Sequence, residues 1–389
     1  AEPAERTERE APPPGGNNMR NRDRFRGCLC GGAVGDALGY PVKDAEDSEI
    51  FRRWGENGIT EYAPDEGGVA EVSANTQLTL YTANALLAAS TARRVTGEKT
   101  RPYRQYLIDC YRDWYRAQEK NDGVASAGTC AWLCGIPELN DSRAPDIVCA
   151  EVLSDGRYGS VRNPVNAEQG SGGLTRVAPV GLFFGSGEGQ LPKIDLLAAE
   201  AAAITHGHEL GYLPAAVLAH IVHLGAYCEA DLEDAIGDAM ETVGDLFPDA
   251  VRWNELEALV DRAVELADED LDDLDAIREL GQGGNADEVL AVALYCALKY
   301  RDDFGRAMVA AVNHSGDSAA TGAVTGTVLG AFLGVRAIPL KYIRGLEMLD
   351  VIAETADDLF DGCRPDPATG KIPQEWLEKY RIEKTENEA

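Results

Sequence analysis

The 389-residue sequence lacks any uninterrupted apolar stretch near the roughly 20 residues that a bilayer-spanning helix requires. A membrane partner is therefore not expected, and no apolar segment near the start suggests a secretory leader. Cations are also scarce: 36 Lys and Arg stand against 66 Asp and Glu, giving a net charge of −30 and a pI near 4.5. Such a surface repels phosphate chains, which argues against nucleic acid as a partner. The nine cysteines include no CxxC pair, and Cys130 and Cys134 face no second pair at metal-site spacing. Buried thiols in a reducing cytoplasm are the expected state. Sustained alternation of apolar and polar residues is missing too, and no 20–50-residue period recurs. What remains is an all-α, single-domain globular body, with 44% apolar residues to fill its core.

Two glycine stripes stand out against this background. Gly322, Gly326, Gly330 and Gly334 recur every four residues, as do Gly27, Gly31, Gly35 and Gly39. Each set lies along one side of a helix. Glycine inside a helix costs about 1 kcal/mol relative to alanine, so four in a row imply that another backbone approaches closely. The two striped helices are therefore expected to pack on each other, with Asp36 in the last turn of one and Asp317 at the mouth of the other.

The remaining text divides as follows. Residues 1–20 are rich in Pro, Glu and Arg and are expected to be disordered; the folded domain is expected over 21–378, with a charged tail at 379–389. A first helix runs from Arg24 to Leu38, and a long polar loop covers 44–70. Ser73 is a good N-cap for a helix beginning at Ala74. Further helices are predicted over Arg104–Gln118, Leu191–Thr205, Pro214 (as an opening residue) to Cys228, and Ala286–Tyr300. Two or three acidic amphipathic helices should occupy 229–280, and Pro339 is expected to start a helix reaching about Phe360.

Four segments, in this order, resemble the ADP-ribosylglycohydrolase family, relatives of the hydrolase that reactivates dinitrogenase reductase. They are Arg26-Gly-Cys-Leu-Cys-Gly-Gly-Ala-Val-Gly-Asp-Ala-Leu-Gly39, Val72-Ser-Ala-Asn-Thr-Gln-Leu-Thr-Leu80, Gly170-Ser-Gly-Gly-Leu-Thr-Arg-Val-Ala-Pro179 and Ala311 through Gly330. Thr205-His-Gly-His208 fits as well. The resemblance implies a compact all-α fold, two magnesium ions and an ADP-ribose-like ligand. Carboxylate and hydroxyl oxygens suit magnesium, and two such ions need several carboxylates.

The sequence departs from the family pattern at most of the implied metal positions. Ala74 and Asn75 stand where the family has two aspartates. Ala319 and Ala320 replace an aspartate and a hydroxyl residue, and Lys43 occupies the place of a glutamate. Ser73, Asn75 and Asp317 are what is left of the metal set, so the expectation is either no metal or one weakly held magnesium. The charged candidates for chemistry are Asp317, Asp36, Lys43 and Asp44, with Lys43 either folded onto Asp317 in place of the lost cation or an ordinary exposed loop lysine. The candidates for ligand contact are Gly170, Ser171, Gly172, Gly173, Arg176, His314, Ser315 and Gly316. Arg176 can equally be a buried structural arginine, and His206 and His208 read better as structural.

Three functional expectations follow from these residues. The first is a catalytically impaired family member, or pseudoenzyme, that still binds an ADP-ribose-like ligand. The second is a metal-independent hydrolase cleaving an ADP-ribosyl N- or O-glycosidic bond. The third is a non-catalytic interaction module, such as an inhibitor of an ADP-ribosyltransferase, docking through the acidic 229–280 region.

Overall fold

The structure, a computed structural model, describes residues 21–63, 68–97, 101–120, 131–187 and 189–380. The expected disorder of 1–20 lies outside these residues. The first half contains α1 (Arg22–Gly39), α2 (Asp47–Trp54), α3 (Ala74–Thr96), α4 (Tyr103–Lys120), α5 (Ala131–Cys134), α6 (Ile147–Asp155), α7 (Ala178–Phe183), α8 (Leu191–Ala203) and α9 (Glu209–Tyr227). The second half contains α10 (Leu232–Leu246), α11 (Trp253–Asp268), α12 (Asp273–Glu279), α13 (Ala286–Lys299), α14 (Phe304–Val312) and α15 (Ser318–Leu333). It ends with α16 (Leu340–Ile343), α17 (Leu349–Asp361) and α18 (Gln374–Tyr380). Among the described residues there is no strand, only an isolated bridge between Ala70 and Leu346.

The body is assembled around α1 and α15. A Cβ placed on Gly27, Gly31, Gly35 or Gly39 would overlap the carbonyl oxygen of Gly330, Gly326, Gly322 or Ser318 respectively. The pairing is antiparallel and in register, and both helices are buried along this length. Removal of every Cβ from the seam allows backbone-to-backbone contact and extensive dispersion attraction, which offsets the intrinsic cost of glycine. Because the register is fixed, the last turn of α1 lies beside the first turn of α15.

Several local expectations need correction. α9 begins at Glu209, five residues before Pro214, with the His208 side chain accepting from the Leu210 N–H. Pro214 therefore sits inside its second turn, where it removes the intrahelical hydrogen bond to the Leu210 carbonyl, a cost that the surrounding core packing offsets. At 19 residues and mean hydropathy 1.3, α9 is also long and apolar enough to cross a membrane, but it is buried throughout as a core helix. The 44–70 loop contains a helix, α2, whose acidic first turn and basic last turn complement its dipole. The helix expected from Pro339 is broken into α16 and α17 by Gly345 and Met348, both at positive φ. Lys379 and buried Tyr380 belong to α18 and not to a tail. Cys110 is disulfide-bonded, which corrects the expectation of thiols throughout.

Candidate functional site

The seam delivers three helix ends to one place. Asp36, fully buried in the last turn of α1, faces the N-terminus of α3. Its carboxylate accepts from the Ser73 N–H (2.8 Å) and hydroxyl (2.5 Å), and from the Thr76 N–H (3.2 Å) and hydroxyl (2.6 Å). Asn75 Nδ2 adds a longer contact at 3.4 Å. Burial pushes the Asp36 carboxyl up from its ordinary range, while the Ser73 and Thr76 donors pull it down. Helix α3 thus gains a second cap in addition to its own Ser73 hydroxyl, which accepts from the Asn75 N–H. Asp36 and Ser73 spend their hydrogen-bonding capacity within this cap.

The flanks of Ser73 are clamped by residues that sequence reasoning did not select. The Arg143 carbonyl accepts from the Ala74 N–H, and Glu347 accepts from the Val72 N–H. The Arg143 guanidinium pairs with Glu71, Asp141 and Glu347. These partners come from segments far apart in the chain, so no local pattern announces them.

Asp317 caps α15, its Oδ1 accepting from the Ala320 N–H at 2.9 Å. Its Oδ2 is 2.6 Å from the Lys43 Nζ, which is also 3.2 Å from Asp44. Burial opposes the Lys43 charge, but Asp317 and then Asp44 outweigh it and hold the ammonium above the ordinary lysine range. Asp44, at φ +59, donates its N–H to the Gly316 carbonyl. Gly316 itself has φ +130 and presses on the Gln282 carbonyl, where a Cβ would not fit. The Ser315 hydroxyl accepts from the Asp47 N–H and donates to Glu46, and Asp47 pairs with Arg278 at 2.6 Å. The segment after α1 is thereby docked over the mouth of α15.

The Gly170–Gly173 segment forms a single 3-10 turn, Ser171–Gly173. Asn75 links it to α3, its Oδ1 accepting from the Thr175 hydroxyl at 2.9 Å. On the inner side Gly172 packs on Asp146, and Gly170 lies against Asp146 and His206. His206 is buried, with Nδ1 2.9 Å from the Thr205 hydroxyl and Nε2 3.3 Å from Asp146. His206 outweighs the effect of burial on Asp146 and holds its carboxyl below the usual range. A second glycine loop closes this wall. Gly281, Gln282 and Gly283 all have positive φ, and the Ala286 N–H donates to the Gln169 carbonyl. The Gly281-Gln-Gly-Gly-Asn285 text was the available signal for it.

The sequence-selected residues therefore fall into two groups. Asp36, Lys43, Asp44, Ser73, Asn75, Ser315, Gly316, Asp317 and the Gly170–Gly173 turn lie on connected elements around the helix ends. Arg176 and His314 lie behind them. Arg176 is fully buried, donating to the Ala201 carbonyl and the Thr205 hydroxyl and stacking 4.3 Å over Tyr111. His314 is buried as well, its Nε2 2.9 Å from both the Ala311 carbonyl and the Thr321 hydroxyl. Burial holds His314 below the ordinary imidazole range. Among the described residues, no three His, Cys, Asp or Glu side chains converge as a metal-ligand group.

Comparison with known proteins gives a consistent result. The ADP-ribosylglycohydrolase family profile matches residues 17–369. The ADP-ribosylhydrolase ARH3 of Bos taurus is 25% identical over 378 residues, spanning 89% of this chain and 95% of that protein. The Homo sapiens ARH3 is 23% identical over 374 residues, spanning 88% and 94%. An uncharacterized protein of Archaeoglobus fulgidus is 23% identical over 347 residues, spanning 87% and 96%. A solved structure described as an ADP-ribosylglycohydrolase-related protein complex shares the fold, with TM-score 0.54, 23% identity and coverage of 87% and 98%.

Proposed function

The chain belongs to the ADP-ribosylglycohydrolase family, and from that premise we propose that it binds an ADP-ribose-like ligand at the junction of α1, α3 and α15 without the family's magnesium-dependent hydrolysis. The observation that carries this reading is the 2.6 Å pair between Lys43 and Asp317. A cation built into the chain sits on the carboxylate that the resemblance makes a metal ligand, at the position where the family has a glutamate. Two divalent ions bring four positive charges, and hard-ion sites need several oxygen anions to balance them. Here Asp36 is spent on the α3 cap, Asp317 on Lys43 and Ala320, and Ala74, Ala319 and Ala320 offer no oxygen. These residues do not fit two magnesium ions.

The glycine text of the Gly170–Gly173 turn, which the family resemblance gives to the ligand, is kept. The first N–H groups of the Ser171–Gly173 turn have no partner within the turn, a geometry suited to phosphate oxygens. The Lys43 ammonium offsets the Asp317 carboxylate that would otherwise repel an anionic ligand at the mouth. The pattern of change also supports a retained binding role, since the glycine seam is intact while the metal positions have changed together.

Calorimetry with ADP-ribose, with and without magnesium, tests this reading. Micromolar binding that is insensitive to magnesium is expected, together with no release of ADP-ribose from ADP-ribosylated protein. Magnesium-enhanced binding or steady release of ADP-ribose would overturn it.

A further inference from the structure

A cavity of about 600 Å³ lies between the last turn of α2, the turn that follows it, and the outer faces of α14 and α16. None of the site residues described above lines it. Its volume is that of a small-molecule pocket. Its lining holds two cations, Arg306 and Lys341, beside four carboxylates, Glu56, Asp272, Asp273 and Asp303. Arg306 stacks 4.5 Å from the centre of the Tyr300 ring, and Lys341 lies 4.7 Å from that of Tyr342 while donating to the Thr60 carbonyl. Among the described residues, neither cation is within ion-pair distance of a carboxylate, whereas Arg22, Arg26, Arg143, Arg262 and Arg278 each are.

The wall's own carboxylates are mostly occupied. Asp272 caps α12 at Leu274, and Asp303 caps α14 at Arg306. Asp273 accepts from Tyr295 and Tyr300 and pairs with Lys299. Only Glu56 remains, exposed on the turn after α2. Stacking on a tyrosine fixes the guanidinium plane and leaves its N–H donors directed along its edges, an arrangement that suits planar or phosphate anions. Phe51 adds a half-buried aromatic side chain, and Asn57 an exposed amide, on the same cavity wall. A smaller cavity of about 240 Å³ shares Lys341 and Tyr342 and adds Arg344 and Glu61.

We propose that this cavity is a second ligand site, separate from the α1–α3–α15 junction, and that it takes a nucleotide. The base packs on Phe51 with Asn57 at its edge, and the phosphates reach Arg306 and Lys341. The site does not depend on what binds at the junction.

Hydrogen exchange with ADP as the probe locates binding directly. ADP is expected to protect 51–60, 304–313 and 340–344. The double variant R306Q/K341Q, checked for an unchanged melting temperature, is expected to lose that protection and weaken binding at this site at least tenfold. It should leave any protection at 73–76 and 170–173 as it was, so failure of this proposal is distinguishable from failure of the junction reading. Phe51→Ala should weaken ADP but not pyrophosphate. The proposal is overturned by absence of protection at 51–60 and 304–313 at millimolar ADP, or by protection that survives R306Q/K341Q. Pyrophosphate competing as well as ADP while adenosine does not compete would overturn the assignment of a nucleoside.

Discussion

The seam between α1 and α15 and the mouth at its end differ in how they tolerate change. Along the seam, four successive contacts are backbone against backbone, so any side chain added there meets a carbonyl. At the mouth, contacts run through side chains, and residues of different charge can occupy the same positions. On the proposed reading, an ammonium at Lys43 stands where the family resemblance implies a carboxylate, since a carboxylate such as Asp317 can pair with an ammonium as well as with a metal ion. No such substitution exists for a glycine whose missing Cβ is the interaction. On the proposed reading, family scaffold and family chemistry come apart within a few residues of each other, between Gly322 and Asp317.

The largest effect is expected where the seam is filled. Gly35→Val places a branched side chain against the Gly322 carbonyl of α15. Overpacking in a rigid core costs a few kcal/mol, and backbone separation adds to it, so a loss of about 4 kcal/mol or failure to fold is expected. Urea denaturation monitored by circular dichroism measures this. A loss below about 1 kcal/mol would mean that the two helices separate freely and that the contrast with the mouth is unfounded.

A second test lies on the border between the two regions. Asp36→Ala leaves the Ser73 and Thr76 hydroxyls and N–H groups without their common acceptor in a buried setting. Unsatisfied buried donors cost about 1–3 kcal/mol each when they cannot reach water, so a net loss of about 3 kcal/mol is expected. Asp36→Asn, which keeps one acceptor oxygen, should lose less. If neither variant changes the urea midpoint while ligand binding disappears, Asp36 belongs to the chemistry and not to the scaffold.

How much of this was legible in the sequence follows the same division. The seam was readable because glycine has one strong reason to recur every fourth residue in a helix, and the Ser73 cap because caps are local. The pairing of Lys43 with Asp317 was readable only through the family resemblance, which placed both residues at one implied metal site. The Arg143–Glu347 clamp was not readable, because two charged residues 204 positions apart carry no mutual signal. The same holds for Arg176, whose burial beneath the glycine turn depends on Tyr111 and Thr205. Helix boundaries failed where tertiary packing overrode local rules, as in α9, where the core accommodates Pro214 in the second turn.

Acid should act through two buried imidazoles, one in the core on α9 and one close to the mouth. His223, on α9 with Nδ1 3.0 Å from the Gly181 carbonyl, is lowered by burial to about 4. Its neutral form is favoured in the folded state, so the unfolded chain binds more protons below the ordinary imidazole value near 6.5. Stability is therefore present above pH 6.5 and is lost as pH falls toward 4, by about 2 kcal/mol at pH 5. His314, also lowered, contributes in the same direction at the mouth. Urea titrations at pH 7 and pH 5 check the sum. His223→Gln should remove much of the loss. A pH 7 to pH 5 difference that is the same in the wild type and in His223→Gln would contradict the His223 assignment.

The smallest expected effect on stability is the most informative about function. The Lys43–Asp317 pair is partly screened, with side-chain exposures of 22% and 19%. Lys43→Gln should cost only about 1 kcal/mol, within the range of modestly exposed ion pairs. Its effect on ligand binding should be larger in proportion, because Asp317 then faces an anionic ligand without a counter-charge. Lys43→Glu sharpens the point. It places a second carboxylate beside Asp317, so ADP-ribose affinity should fall in the absence of divalent ions and recover on adding millimolar magnesium. Calorimetry of the wild type, Lys43→Gln and Lys43→Glu, each with and without magnesium, reads all three responses. Magnesium dependence that appears only in the glutamate variant would mean that Lys43 occupies the role of an ion. Equal binding by all three proteins would reduce the pair to an ordinary contact on the docked loop.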